Sequence, residues 1–193
     1  NFKKGRSGRE ILHITPHLGG GVGNIISKIT TVGDSGFSHS VILLEEPVDT
    51  HFVNILYESG IKVSIRPDSA ETEEMIAGSD ILILHWWHHP KTSAFLYDFP
   101  RIPVRFVIWS HISNLTVPSM HPDFISRASR VLFTTEASYE AYGTLDKELL
   151  SAKTSVVPGC GGINPDTIPE HREHDGFNIG YLGFVDFSKL HSD

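Results

Sequence analysis

The stretch "ILHITPHLGGGVGN", residues 11–24, decides the fold of this 193-residue chain. Its first four residues, Ile11 to Ile14, form an apolar run that is typical of a buried strand. Four glycines then fall within five positions, from Gly19 to Gly23. A glycine-rich turn between a first strand and a first helix lets backbone N–H groups approach an anion near the positive helix end. The alternative is a tight strand-to-helix crossover in which glycine only relieves crowding.

Outward from this loop, apolar β-rich runs alternate with segments of helical period. Most runs are apolar through their middles, as expected of parallel strands that are covered on both faces. We predict strands at Glu10–Thr15, His39–Leu44, Lys62–Arg66, Asp80–His85, Val104–Trp109, Arg130–Thr134 and Lys153–Val157. The helices between them are predicted at Val22–Gly33, Asp49–Ser59, Ser69–Ala77, Lys91–Asp98, His121–Ala128 and Glu136–Leu150, with helix-start chemistry at Asp49-Thr50 and Ser69. This alternation predicts an α/β fold, a doubly wound parallel sheet of Rossmann-like type.

The last predicted strand is followed by a change in composition. Residues 158–176 are rich in glycine, proline and charge, which is typical of a linker. The apolar stretch "FNIGYLGFV" then begins a new strand at Phe177. We therefore expect a Rossmann-like domain at 1–157, a linker at 158–176, and at 177–193 the first strand of a second, truncated domain.

Composition and charge restrict the partners and the compartment. The net charge of -7, from 16 Lys and Arg against 23 Asp and Glu, argues against non-specific binding to nucleic acid or anionic membranes. Cys160 is the single cysteine, so no intrachain disulfide can form and a reducing compartment fits. No apolar stretch approaches the roughly 20 residues of a membrane span. Because residues 1–9 also lack the apolar region of a signal peptide, we expect a cytoplasmic protein without an integral membrane segment.

Two common nucleotide-binding motifs are absent from the glycine loop. The dinucleotide fingerprint G-x-G-x-x-G fails because its third glycine would fall on Asn24 or Ile26, and the Walker pattern has no match. Glu45, however, ends the second strand, where the ribose-binding acid of a NAD-binding domain would lie. A NAD-dependent oxidoreductase therefore stays an alternative. A non-catalytic module that binds a sugar or a protein is a further alternative.

Five segments, in their order and spacing, resemble the family 4 glycosyltransferases of GT-B architecture. They are the glycine loop, "VIWSHI" at 107–112, "VLFTTEASYEAY" at 131–142, "SVVPGCGGINPD" at 155–166 and "IGYLGFVDFSKLH" at 179–191. The resemblance covers nearly the whole chain, and it lies in the order of the motifs because each motif by itself is loose. It implies the N-terminal, acceptor-side domain of a two-domain, hexosyltransferase-like enzyme, whose donor-binding domain belongs to the same chain.

The resemblance also implies the reaction and its participants. A sugar would pass, with retention at the anomeric carbon, from a nucleotide sugar to an unidentified acceptor, which could be a saccharide, a lipid-linked group or a small molecule. The nucleotide sugar is a substrate, and no other cofactor is expected. Such chemistry relies on positioning and on stabilisation of the leaving diphosphate. A fragment that lacks most of the donor domain is expected to be inactive alone.

The resemblance assigns roles to several residues of the chain. His111 matches the family's histidine beside the transferred sugar, although a loop or capping histidine is the alternative. Gly19, Gly20 and Gly21 would approach the diphosphate and the sugar. Glu136 is a substrate-binding candidate that reads equally well as a first-turn helix acid.

The donor-side motif departs from the family pattern. Lys189 would grip the diphosphate, but Phe184 follows Gly183 where the family often has arginine. The family's Asn-Gly pair is replaced by Gly159-Cys160, and its paired glutamates would lie beyond the sequence. These departures concern the donor site and leave the predicted fold unchanged.

The segment "LHWWHHP", residues 84–90, contributes the remaining candidates. The carboxyl ends of parallel strands face the ligand crevice, so His85 and Trp86 are expected to line an acceptor pocket with an indole stacked on a sugar. The alternative is that one tryptophan lies in the core and the other packs under the next helix. We expect no metal site, because no carboxylate or cysteine adjoins His88 and His89. Nor does Cys160 have a basic neighbour that would make it a nucleophile.

Overall fold

The computed structural model describes residues 8–32, 36–115, 119–142, 147–158 and 175–177. Within them, one sheet of seven parallel strands has the order β3-β2-β1-β4-β5-β6-β7. The strands are β1 Arg9–Thr15, β2 Phe37–Leu43, β3 Lys62–Ile65, β4 Ile81–Trp86, β5 Arg105–Ser110, β6 Arg130–Phe133 and β7 Thr154–Val156. The helices are α1 Gly20–Thr31, α2 His51–Glu58, α3 Ser69–Gly78, α4 Pro90–Tyr97, α5 Pro122–Arg127 and α6 Lys147–Lys153, with a 3₁₀ helix at Glu136–Tyr142.

Helices cover both faces of the sheet, which confirms the predicted doubly wound, Rossmann-like α/β fold. On one face, Ile26 of α1 and Val53 and Leu56 of α2 pack with Val41 and Leu43 of β2. The other face carries the larger core, in which side chains of α3 to α6 pack on the central strands. Its fully buried members include Leu12, Ile14, Ile42, Ile76, Leu82, Leu84, Ile108, Ile125, Val131 and Phe133. Burying one such side chain stabilises the fold by about 1.5–3 kcal/mol.

The helix predicted at Glu136–Leu150 is wrong as a single element. The chain forms a 3₁₀ helix that ends at Tyr142 and a separate α6 that begins at Lys147. The Tyr142 side chain is buried, stacks on Phe133 at 5.7 Å, and donates a hydrogen bond to the Met120 carbonyl at 3.0 Å. These contacts fix Tyr142 to the core, and Gly143 follows it in the sequence, a residue that disfavours helix.

α3 begins at Ser69, as predicted, but its capping residue differs from the prediction. Asp68, and not Ser69, is the N-cap, since its Oδ1 accepts the backbone N–H of Glu71 at 2.8 Å. At α2 the N-cap is Thr50, as predicted, but its side chain makes no capping hydrogen bond in the described structure. Asp49 instead accepts the N–H of His51 at 2.8 Å.

The chain divides into two compact units, Asn1–Gly162 and Ile163–Asp193. The whole sheet belongs to the first unit. Of the second unit the structure describes only 175–177, so the predicted linker, the strand at 177–193 and Lys189 lie almost entirely outside the described residues and stay predictions. No described helix combines the length and the apolar character that crossing a bilayer requires.

Candidate functional site

The glycine loop joins β1 to α1 at the carboxyl edge of the sheet. Gly19 is the N-cap of α1, and the helix begins at Gly20. The Gly19 N–H donates to Nδ1 of His17 at 3.0 Å, while the Gly19 carbonyl accepts the N–H of Gly23 at 3.2 Å. The N-terminal end of a 12-residue helix therefore lies where parallel strands present their ligand crevice.

The glycines of this loop are needed for different reasons. A Cβ at Gly23 would lie 2.3 Å from the Leu18 carbonyl oxygen and 2.7 Å from Phe52 Cδ2, so the chain itself occupies that space. A Cβ at Gly19 would lie 2.8 Å from the His17 ring, and Gly20 has a φ of +57° that favours glycine. No described atom lies within 4 Å of the Cβ position of Gly20 or of Gly21, so both leave space open to a ligand. Gly21 differs from Gly20 in lacking a positive φ, and it is therefore the open position that can also accept a side chain.

Three polar side chains gather beside this loop. Nε2 of His17 lies 3.8 Å from Oε1 of Glu45, and Nε2 of His89 lies 3.3 Å from the same oxygen. These residues follow β1, β2 and β4, which are neighbours in the sheet. We call them the edge cluster. Each member is partly exposed, at 32% for His17 and Glu45 and 18% for His89.

Backbone hydrogen bonds fix the tautomers of the edge cluster. Nδ1 of His17 accepts the N–H of Gly19, and Nδ1 of His89 accepts the N–H of Lys91 at 3.2 Å. A neutral ring whose Nδ1 accepts must carry its proton on Nε2. Both Nε2–H groups therefore face Glu45. Burial lowers the pKa of His17, and the neighbouring Glu45 carboxylate opposes this shift.

The edge cluster has the residue types of a metal site, but its histidines carry their protons on the nitrogens that would have to bind the metal. Its three donor atoms lie within 4.8 Å of one another. A metal ion on Nε2 would require the proton on Nδ1, where ligating histidines normally donate to a carbonyl or a carboxylate. Here both Nδ1 atoms face backbone donors, so a metal would break two hydrogen bonds. The cluster is better suited to donate to, and accept from, an oxygen-rich ligand.

The two tryptophans after β4 lie in different surroundings. Trp86 is 4% exposed and belongs to the larger core, with its ring 6.3 Å from that of Phe124. Its role as a substrate-binding residue stays a prediction, one that this burial disfavours. Trp87 instead packs edge-on against His17 at 4.8 Å and beside His89 at 5.0 Å. The alternative prediction placed one tryptophan in the core, where Trp86 lies, and the other under the next helix, whereas Trp87 contacts the two loop histidines.

His111 directly follows β5, and its backbone is hydrogen-bonded to β4. Its N–H donates to the Trp86 carbonyl at 2.9 Å, and its ring stacks on Trp109 at 5.2 Å. Its Nε2 lies 2.8 Å from Nδ1 of the fully buried His85. Its Nδ1 is buried and has no partner among the described residues. Burial lowers the pKa of His111 to about 4, so the ring is neutral at physiological pH.

His13 and His39 extend this contact, and sequence reasoning missed both. His85 Nε2 lies 3.1 Å from His13 Nδ1, and His13 Nε2 lies 3.1 Å from His39 Nδ1. Burial, together with His39, lowers the pKa of His13 to about 3, and burial holds that of His85 well below 6.5. Burial also lowers the pKa of His39, against the field of Glu10. His13, within the apolar run 11–14, was the available signal, whereas His39 lies between Ser38 and Ser40 and gave none.

The remaining candidate, Glu136, follows β6 and begins the 3₁₀ helix. Its side chain is exposed, as a first-turn helix acid would be. Its role in substrate binding stays a prediction.

Comparison with known proteins gives a similarity of fold. No family model matches the sequence, and no curated protein matches it. A glycosyltransferase from Rickettsia africae ESF-5 superposes with a TM-score of 0.51 and 15% identity over 79% of this chain, which spans 43% of that structure. A structure of HepE from Anabaena in complex with UDP and glucose has a TM-score of 0.48 and 18% identity, with coverages of 78% and 44%. The first similarity shows that the chain shares its fold with part of a solved glycosyltransferase.

Proposed function

We propose that the chain is the N-terminal, acceptor-side domain of a retaining glycosyltransferase of GT-B architecture, which uses a nucleotide sugar. One observation carries the proposal. In a fold shared with a solved glycosyltransferase, the open position at Gly21, the edge cluster and His111 all follow neighbouring strands at the carboxyl edge of the sheet. Open parallel sheets bind their ligands at this edge.

The chemistry of this edge suits an activated sugar. The first N–H groups of α1 lack partners within the helix, and they attract a phosphate or a partly negative oxygen. His17 and His89 present Nε2–H donors, whereas Glu45 presents acceptors, so sugar hydroxyls find both kinds of partner. We assign no nucleophile here, because the Glu45 carboxylate already faces two Nε2–H groups. The support is therefore for binding and orientation, the main contributions of a protein to this reaction.

His111 is the group that we place against the reacting sugar or the acceptor hydroxyl. Its ring contacts His85 and stacks on Trp109, while its Nδ1 is buried and has no partner among the described residues. A neutral imidazole in this position stabilises charge or accepts a hydrogen bond without bringing a cation into the crevice.

The test is sugar transfer by the full-length protein with a panel of nucleotide sugars, followed as nucleotide release and glycosylated product. Product with at least one donor is the expected result, and no product with any donor would overturn the proposal. We further propose that the donor domain is supplied by additional sequence. Residues 1–193 alone should then transfer no measurable sugar and bind nucleotide weakly. Turnover by this fragment at the full-length rate would contradict the two-domain assignment.

A NAD-dependent oxidoreductase is the second candidate because Glu45 does follow β2, beside the glycine loop. It is less favoured, since the fingerprint fails and Glu45 already faces two Nε2–H groups. Calorimetry with NAD(H) separates the two functions. Micromolar binding would favour the oxidoreductase, whereas binding of a nucleotide sugar alone would exclude it.

A further inference from the structure

Four histidines form a continuous series across the sheet. Three nitrogen–nitrogen contacts of 3.1, 3.1 and 2.8 Å connect His39, His13, His85 and His111 in that order. We call them the histidine series. Its members lie on β2, β1 and β4 and directly after β5, four neighbouring strands.

The register explains why the series runs diagonally. His39 lies beside Ile11, two residues before His13, and His13 lies beside Ile83, two residues before His85. His85 in turn lies beside Trp109, two residues before His111. A step of two residues keeps every ring on the same face of the sheet. Each step also brings the series closer to the carboxyl edge, from the half-buried His39 to His111.

The tautomers of neutral imidazoles that contact one another in series depend on each other. A neutral ring has one N–H and one lone pair, and each contact needs one of each. If His13 carries its proton on Nε2, then His85 and His111 must also carry theirs on Nε2. If one ring reverses, every ring must reverse. The series therefore has two ordered states, which leave either a lone pair or an N–H on Nδ1 of His111.

We propose that the histidine series relays a proton between a ligand hydroxyl bound at His111 Nδ1 and solvent at His39. The proposal stands on the three contacts and on the buried Nδ1, and it does not require that the ligand be a sugar. His13, His39 and His85 act through His111 and are positioning residues.

Before the relay, every ring carries its proton on Nε2, and each proton that is gained is matched by one that is lost. Nδ1 of His111 takes the proton, and the ligand oxygen keeps the electron pair of the broken O–H bond. His111 then passes its Nε2 proton to His85 Nδ1, His85 passes its own to His13 Nδ1, and His13 passes its own to His39 Nδ1. His39 releases its Nε2 proton to water. One proton has entered and one has left, and all four tautomers are reversed.

The groups around the series favour His39 as the exit. His39 is half-buried and feels the Glu10 carboxylate, which stabilises a proton there. His13 faces His39, and His85 faces His13 and His111, so among the described titratable groups a cation on either ring meets other imidazoles in a buried site. The charge is therefore least costly at His39, and it crosses the two central rings in concert.

The experiment reads the tautomers directly by ¹⁵N NMR of the histidine rings in the full chain, without sugar or nucleotide. We expect His13, His85 and His111 to be neutral at pH 7 and all to carry their protons on Nε2, so that His13 donates to His39. In His39→Phe, which cannot pair with His13, the major tautomer of His111 should change three rings away. In His39→Asn, whose amide can donate or accept at the δ position, it should not change.

A role in packing alone would not move a tautomer at that distance. His51→Phe, at an exposed position outside the series, is the control and should leave all ring shifts of the series unchanged. Mixed tautomers within the series of the unsubstituted chain would overturn the proposal, even if His39→Phe failed to fold. An unchanged His111 in a folded His39→Phe would also overturn it. The NMR experiment involves no assay of sugar transfer. The relay can therefore be supported when the proposed sugar transfer fails, and sugar transfer can be observed when the relay is overturned.

Discussion

His111 has two ring nitrogens in different surroundings, and this difference allows its roles to be separated. Nε2 contacts His85, while Nδ1 is the nitrogen offered to a ligand. His111→Ala would remove both, and leaving buried His85 without its partner costs about 1–3 kcal/mol of stability. His111→Gln is the sharper variant because its amide can reach the ε position but leaves nothing at Nδ1.

We expect His111→Gln in the full-length protein to lower kcat by roughly 10²–10³-fold, the loss seen when one well-placed polar contact is removed from a closed site. The melting temperature should change little. His51→Ala removes an exposed histidine elsewhere and serves as the matched control for both measurements. Unchanged turnover in His111→Gln would leave His111 a structural histidine.

Single substitutions also distinguish the two glycines Gly21 and Gly23 by their effect on stability. Gly23→Ala brings a methyl group within 2.3 Å of a backbone oxygen, so the loop or α1 must shift. We expect a loss of about 1–3 kcal/mol in the free energy of unfolding, as for other overpacked sites. Gly21→Ala meets open space in the same helix, and it should be neutral or stabilising by up to about 1 kcal/mol because alanine favours helix.

Urea unfolding of both variants measures this contrast. Equal losses would mean that both glycines are required by the backbone, contrary to the geometry. Gly21→Ala is also informative for the site: a folded variant with weakened transfer would place a ligand beside α1.

At the level of elements, α2 and α3 begin with different caps. Asp68 caps α3 through its side chain, whereas the side chain of Thr50 makes no such bond at α2. Asp68→Ala should therefore destabilise the chain by about 1 kcal/mol, the typical value of an N-cap. Thr50→Ala is the matched control and should cost less than half as much. Chemical denaturation checks both, and a larger loss at Thr50 would contradict the assigned caps.

The elements themselves were predictable where the local pattern was strong. Each strand was expected from its apolar run, and the structure moves its ends by no more than two residues. The division of the predicted helix Glu136–Leu150 was not predictable, because it depends on Tyr142 reaching Met120, 22 positions earlier in the chain. A tertiary contact of this kind overrides local helix propensity.

At the scale of the whole molecule, the candidate site was predictable only in part. The family resemblance proposed His111, whose role stays a prediction, and the carboxyl edge could be inferred from the parallel fold. His13 and His39 were missed, because their meeting with His85 depends on the strand order β2-β1-β4 and on a register that no local pattern contains. Trp86 lies in the larger core, and its role in substrate binding stays a prediction that this burial disfavours.

The buried histidines make the stability of the whole chain depend on pH. The pKa is lowered by burial to about 3 for His13 and about 4 for His111, and it is well below 6.5 for His85. In the unfolded chain all three take up protons near pH 6.5. Below that pH the unfolded state therefore binds more protons than the folded state, and the free energy of unfolding falls.

We expect stability to be independent of these groups above pH 6.5 and to decline from there toward pH 4. At pH 5.5 each group that stays neutral when folded lowers the free energy of unfolding by about 1.4 kcal/mol, or roughly 4 kcal/mol for the three together. Urea unfolding at pH 7.5 and pH 5.5 measures the difference. His111→Gln removes one of the three groups and should reduce the loss by about a third, while His51→Ala should leave it unchanged. A chain equally stable at both pH values would mean that these histidines are protonated when folded, which their burial and mutual contacts oppose.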